Sequence, residues 1–280
     1  MASTHPYIPR ISLVFDFDKT LASDTIDAMC AAWGMSREEW EEQYHAPLGD
    51  NWDGILKRSH ALIACGRDRD DPLTENFFDR AAEHIELYDG VLDLKKHLSE
   101  VGKQIVPDIE VELVVLSSGY IDIVERTRVN DVFDRSWAGE FHFADGKAVC
   151  LKRMIAHPTK ARYLEAHAKG LDIGAANSPR VDDPDFDEMD MHVPLDQMVY
   201  IGDGLSDLEA FGFLTNNGGQ AIAIDESARF DHADQQTADE RVDNLASPTY
   251  AEGSELLESL RHAARSAASR AALRKQSQGK

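Results

Sequence analysis

Four short apolar runs, at residues 11–15, 111–116, 198–201 and 221–224, are rich in β-branched and aromatic side chains and show little polar alternation. Runs of that length and kind predict strands buried on both faces. Between them apolar positions recur at helical spacing, at 91–101, 120–129, 159–168 and 206–211. Strands alternating with helices predict an α/β fold, a doubly wound and mainly parallel sheet with helices on both faces. In such sheets ligands gather at the carboxyl ends of the strands.

The first two strands are separated by about ninety residues, where a parallel crossover needs about a dozen. Residues 22–89 read as helical, and Ile26, Met29, Trp33, Trp40, Phe77 and Phe78 offer them a small core of their own. An excursion of that size, leaving directly after the first strand, predicts a helical cap folded over the strand's end. The α/β core is then residues 1–21 and 90–252. A second insertion, about 170–194, contains the acidic stretch 182–190; its acids lack the spacing and glycine of a calcium loop, and it reads as a solvated surface loop. Residues 253–280 predict an Ala-rich C-terminal helix whose late cations, among them Arg261, Arg265, Arg270, Arg274 and Lys275, suit the helix dipole and an acidic body.

Composition narrows the partners. The 280 residues are 42% hydrophobic, enough for one large core and a smaller companion. The 51 acidic residues outnumber the 29 basic ones, for a net charge of −22, which argues against a nucleic acid partner. No stretch has the length and apolarity of a membrane span, and the first residues lack the apolar core of a secretory signal. Cys30, Cys65 and Cys150 are scattered and lack Cys-x-x-Cys spacing. Together these features predict a cytoplasmic protein with no membrane partner.

Candidate chemistry begins at Asp16 and Asp18, where the first strand runs out. Side chains two apart on a strand point the same way, so both carboxylates face one volume. Such a pair persists if a cation binds between the acids or if one of them keeps its proton. Three further pieces follow strands or open helices: Leu116-Ser-Ser-Gly119, Lys160 within Thr159-Lys-Ala-Arg, and Asp203 with Asp207 in Tyr200-Ile-Gly-Asp-Gly-Leu-Ser-Asp207. Each alone is common; their joint order in an α/β pattern is not.

That ordered set resembles the haloacid dehalogenase superfamily, from Ile11 to about Ile224. The resemblance implies a Mg2+-dependent phosphomonoester hydrolase acting on a small phosphorylated metabolite. Asp16 would be the nucleophile that forms an aspartyl-phosphate, and Asp18 the general acid and then base. The metal would be held by Asp16, the backbone carbonyl of Asp18 and Asp203, with Asp207 supporting that shell. Ser117, Ser118, Gly119 and Lys160 would bind the phosphoryl group. The acid at position 18 separates the chain from the dehalogenases, whose halide leaving group needs no proton. Phosphomutases share all four motifs and stand as the alternative. A non-catalytic binding module is the second alternative, and it predicts decay at one of these positions, where none is seen.

The segment Asp16-Phe-Asp-Lys-Thr-Leu-Ala-Ser-Asp-Thr-Ile-Asp27 is similar to the start of the phosphoserine phosphatases, whose cap is inserted at the same place. There an acid and a cap arginine bind the amino-acid end of the substrate, roles that Asp24 and Arg58 would match. The chain departs from that family in Ser-Ser-Gly for Ser-Gly-Gly, in Ser206 for Asn, and in the 170–194 loop. His157 and His167 flank the Lys160 helix and are further candidates for the site.

Overall fold

The four runs are strands of one sheet in the computed structural model, which describes residues 6–171, 179–224 and 244–278. In chain order the strands are β1 Arg10–Phe15, β2 Glu110–Tyr120, β3 Arg135–Ala144, β4 Lys147–Arg153, β5 Met198–Gly202, β6 Gln220–Ile224 and β7 Asn244–Ala246. Their spatial order is β4-β3-β2-β1-β5-β6-β7. Every neighbouring pair is parallel except β3 with β4. β1 lies in the middle and explains the missing alternation. Ile11, Leu13 and Phe15 enter one core with Val111, Leu113, Val199 and Ile201, whereas Val14 enters a second with Val114, Leu116, Met198 and Tyr200. Each strand is buried on both faces, so both parities are apolar.

Between β1 and β2 the chain builds α1 Thr25–Ala32, α2 Arg37–Trp40, α3 Gly54–Asp68 and α4 Glu75–Ala82. Each start carries a local signal. Asp24 and Asp53 accept N–H bonds from the first turns of α1 and α3, Ser36 and Glu39 form a capping box on α2, and Thr74 caps α4. Met29, Trp33, Trp40, Leu62, Phe77 and Phe78 pack together and against Tyr120, Phe141 and Ala148 of β2, β3 and β4. The two ends of this helical layer lie side by side, with Ala22 bridging Leu87 and the Ser23 N–H donating to the Glu86 carbonyl at 2.9 Å.

After the cap come α5 Leu94–Ile105 and the single-turn α6 Ile121–Val124, then α7 Lys160–Ala168, α8 Leu208–Asn216 and α9 Glu255–Gln278. Helices α5 and α9 cover the first core, and α7 and α8 the second. The apolar side of α9 is a Leu and Ala stripe from Leu256 to Ala271, and its cations tie it down: Arg274 reaches Asp196 at 2.6 Å and Lys275 reaches Asp108 at 2.7 Å. Among the described residues no helix is long and apolar enough to cross a membrane.

Three elements differ from the sequence reading. The hairpin of β3 and β4 was not among the predicted strands, although its Asp145-Gly146 turn, with both φ angles positive, is a hairpin signal. The helix expected over 120–129 is reduced to α6 and a 3-10 turn at Arg128–Asp131, because Tyr120 stays in β2, paired with Gly139 and stacked on Phe141 at 4.7 Å. In the 170–194 segment, residues 172–178 lie outside the described residues. Beyond them Val181 is buried against Ala166 and Leu171, and Arg162 pairs with Asp182, so this part is anchored on α7 while the acids from Asp182 to Asp190 face solvent.

Candidate active site

β1 ends at Phe15, and Asp16 extends the pairing by one bond, its N–H donating to the Ile201 carbonyl at 2.8 Å. The chain then turns, with the N–H groups of Thr20, Leu21 and Ala22 converging on the Phe17 carbonyl. Alternation therefore stops at Asp16, and the two carboxylates part company. Asp16 faces Lys160, whose Nζ donates to its Oδ2 at 2.9 Å. Asp18 turns to the cap, accepting from the Thr25 N–H at 2.8 Å and the Thr25 hydroxyl at 3.1 Å. The two acids thus take different hydrogen-bond partners, yet they stay close enough that the charge of Asp16 helps to raise the Asp18 pKa.

Asp16, Asp203 and Asp207 offer carboxylate oxygens that all lie within 4.8 Å of one another. Lys160 opens α7 and is fully buried between two of them, with a second bond to Asp207 Oδ1 at 2.6 Å. The Tyr200 hydroxyl donates to the same Asp207 oxygen at 2.6 Å, and the Ser206 hydroxyl lies 3.1 Å from Asp207 Oδ2 and 3.4 Å from Asp203 Oδ1. Burial works against the Lys160 charge, but Asp16 and Asp207 outweigh it and raise its pKa. Burial, then repulsion from Asp16 and Asp207, pushes the Asp203 carboxyl up to about 7. One ammonium among three carboxylates leaves an excess of negative charge, and the donors are all oxygen. That set fits a hard divalent cation such as Mg2+.

Two glycines make room for these acids. A Cβ on Gly202 would lie 2.3 Å from Asp207 Oδ2, so Asp207 can fold back beneath β5 only because residue 202 has no side chain. A Cβ on Gly119 would lie 2.8 Å from Asp18 Oδ2 and 3.2 Å from Ser117 Oγ. Ser117 is 1% exposed and its hydroxyl oxygen accepts the Gly119 N–H at 2.9 Å, which leaves the hydroxyl proton free to donate. Ser118 presents its carbonyl to Arg58 Nη2 at 2.6 Å, and its own Oγ is buried with no hydrogen-bond partner among the described residues. Burial, then the charges of Asp24 and Asp16, pushes the Asp18 carboxyl up to about 8, which favours its protonated form near neutral pH; burial also raises Asp16, against the pull of Lys160.

The two cap residues singled out from the sequence both reach this neighbourhood. The Arg58 guanidinium lies over the Tyr120 ring, 5.5 Å from its centroid, as it bonds Ser118. Asp24 caps α1 through the Ile26 N–H at 2.8 Å and pairs with Arg37 at 3.2 Å. Thr25, Tyr200 and Arg37 were missed. Thr25 was legible only as the residue after a helix cap, and Tyr200 read as one more apolar strand position. A cleft of about 590 Å³ opens beside the site between the cap and the loop ahead of α7, lined by Trp52, Lys57 and Arg58 on one side and by His157 and Pro158 on the other.

His167 does not reach the site. Its Nε2 lies 2.9 Å from Ser12 Oγ and 3.5 Å from Glu112 Oε2, near the starts of β1 and β2. His192 Nε2 is 2.8 Å from the same Glu112 oxygen. These side chains have metal-ligating chemistry, but Arg10 donates to His192 Nδ1 at 2.7 Å and Arg135 lies 3.2 Å from Glu112, so the cluster already holds its positive charge. Burial depresses the His167 pKa from 6.5 to about 3, and although burial of Glu112 acts the other way, its His192 bond and the neighbouring charges hold it down, from 4.5 to about 2. Both groups are depressed, so the unfolded chain takes up these protons first and their stabilisation is lost as pH falls, from 6.5 for His167 and from 4.5 for Glu112. Asp18 and Asp203 titrate in the opposite sense, so the effect is read as a difference. Urea unfolding should show His167→Gln flattening the stability profile between about pH 6 and pH 4 by about 1 kcal/mol per pH unit relative to wild type. Parallel profiles would mean that His167 is charged in the fold.

No family model matches the chain. An uncharacterized protein of Borreliella burgdorferi is 22% identical, over 74% of this chain and 79% of its own length. Among solved structures, a phospho-aspartyl intermediate analogue of phosphoserine phosphatase superposes with a TM-score of 0.55 at 17% identity, covering 90% of this chain and 98% of that one. A probable phosphoserine phosphatase from Vibrio cholerae gives 0.53 at 14% identity, over 96% of this chain and 69% of its own. A HAD family hydrolase from Salmonella enterica serovar Typhi gives 0.54 at 13%, over 87% and 68%. The fold is thus of the haloacid dehalogenase type in its phosphoserine-phosphatase-like form.

Proposed function

We propose that the chain is a phosphomonoester hydrolase that works through an aspartyl-phosphate on Asp16. The observation that supports this best is the different bonding of two nearby acids: Asp16 is bonded to a buried ammonium, and Asp18 is bonded to Thr25 with its pKa raised by burial. In the first step a carboxylate oxygen of Asp16 forms a bond to phosphorus, the bond from phosphorus to the ester oxygen breaks, and Asp18 gives its proton to that oxygen. In the second, Asp18 takes a proton from water as the water oxygen bonds phosphorus and the Asp16 carboxylate leaves. Ser117 donates its hydroxyl proton to the phosphoryl oxygens, and Lys160 balances their charge and orients Asp16. The Ser118 Oγ, buried with no hydrogen-bond partner among the described residues, and the Gly119 backbone would bind the same group.

Asp16, Asp203 and the Asp18 carbonyl would hold Mg2+, with Asp207 orienting the shell through Ser206. Bound there, the ion would neutralise charge on the phosphoryl group. The cap, which reaches the site through Thr25 and Arg58, would limit the access of water. A small phosphorylated metabolite is the substrate this reading requires. A cytoplasmic setting belongs to the same reading, since all three cysteines are free.

The test is inorganic phosphate release from a panel of phosphorylated amino acids, sugars, hydroxy acids and nucleotides, with Mg2+ and again with a chelator. The expected result is release that needs no added acceptor and falls to background when the chelator is present. Turnover only on addition of a second phosphate acceptor would identify a phosphomutase or phosphotransferase instead. Full activity in chelator would remove Mg2+ from the proposal.

A further inference from the structure

We infer that the phosphomonoester accepted here carries a second anionic group, a carboxylate or another phosphate, held by Lys57 in the cleft, and that it carries no ammonium group. The inference rests on the phosphatase reading above and adds the class of substrate. The cleft inverts the sign of the molecule. In a chain of net charge −22 its lining sets Arg37, Lys57 and Arg58 against Asp50 and Asp53. Asp53 is already engaged, accepting the Ile55 and Leu56 N–H groups at the start of α3 at 3.1 and 3.2 Å. A local positive field between low-dielectric walls selects an anion.

The three cations are not equivalent. Arg37 pairs with Asp24 and Asp27, and Arg58 is bonded to the Ser118 carbonyl and lies over Tyr120. Lys57 is half-buried, one turn into α3, and has no carboxylate partner among the described residues. A half-buried ammonium facing a cleft without a counter-ion is the group with charge to spare. Arg58 both lines the cleft and bonds the Ser118 carbonyl next to Ser117, so the part of an ester that extends past Arg58 would occupy the cleft. There Trp52, 43% exposed at the mouth, offers an apolar face to its carbon skeleton.

The same geometry disfavours an amino-acid ester. An ammonium group would turn to Asp24 or Asp50: Asp24 is offset by Arg37 at 3.2 Å and also caps α1, and Asp50 lines the same cleft as Lys57, which has no carboxylate partner among the described residues and would repel it.

Calorimetric titration of the full-length Asp16→Asn protein in Mg2+ tests this without turnover. The probes are glycerol 3-phosphate with 3-phosphoglycerate, which reads a carboxylate, fructose 6-phosphate with fructose 1,6-bisphosphate, which reads a second phosphate, and phosphoethanolamine, which reads an ammonium. In at least one pair the more anionic ester should bind about tenfold or more tightly, with phosphoethanolamine no tighter than glycerol 3-phosphate. Lys57→Gln should bring the favoured ratio to within about twofold of unity. Ratios near one in both pairs, tightest binding of phosphoethanolamine, a ratio that survives Lys57→Gln, or no binding of any probe would each overturn the inference. Failure of the hydrolase reading shows elsewhere, as absent phosphate release by the wild-type chain.

Discussion

Asp16→Asn is expected to lower phosphate release by about a thousandfold or more, a loss of about 4 kcal/mol in transition-state stabilisation, while the fold persists. The amide keeps the size of the carboxylate and can still accept the Phe17 N–H that lies 2.7 Å from Oδ1. It cannot donate a carboxylate electron pair to phosphorus. Lys160 retains Asp207, and the cluster loses one of its three mutually repelling acids. Thermal unfolding should therefore be unchanged or higher. Phosphate release and a melting curve on the same preparation decide the matter: wild-type turnover would place the nucleophile elsewhere, and a collapsed melt would mean that Asp16 is chiefly structural.

Lys160→Met should instead strike stability. Asp16 is 4% exposed and Asp207 is fully buried, and both lose their counter-charge while the methionine fills the volume. Breaking a buried pair in this way costs about 3–5 kcal/mol, because the remaining charges are left desolvated. The sign of its pH dependence follows from the carboxylates. Without the ammonium the Asp16 pKa rises further above the ordinary 3.8, so the folded state holds a proton that the unfolded chain has released. The deficit is then largest at alkaline pH and shrinks as pH falls toward 3.8. Denaturant unfolding of both proteins at about pH 8 and pH 5 measures it. A variant as stable as wild type at the higher pH would show that water, not Lys160, compensates the acids.

The sequence made the doubly wound sheet legible because β1, β2, β5 and β6 are apolar on both faces, a property that needs no partner to be seen. The hairpin of β3 and β4 was harder to see, since its two faces meet different neighbours. Phe141 and Ala148 pack under the cap, while the alternate positions carry Glu140, His142 and Lys152. Helix propensity at 120–129 lost to the pairing of Tyr120 with Gly139, a contact between residues 19 positions apart. In the site, Asp16, Ser117, Lys160, Asp203 and Asp207 could be nominated because each stands just past an apolar strand run or near the start of a helix, and topology alone carries such positions to one edge of the sheet.

The sequence by itself therefore determined which chemical groups arrive at the carboxyl edge: several acids, a hydroxyl and one lysine, in an order that an α/β chain brings together. Tertiary structure decided what each group does there. The turn after Phe15 sends Asp16 to Lys160 and Asp18 to Thr25, and burial with two neighbouring acids raises the Asp18 pKa. Only the packed cap could place Arg37 against Asp24 and leave Lys57 without a carboxylate partner among the described residues. The physical reason is range: strand and helix patterns are set by neighbours a few residues apart, whereas charge balance in a buried site sums over residues from every part of the chain.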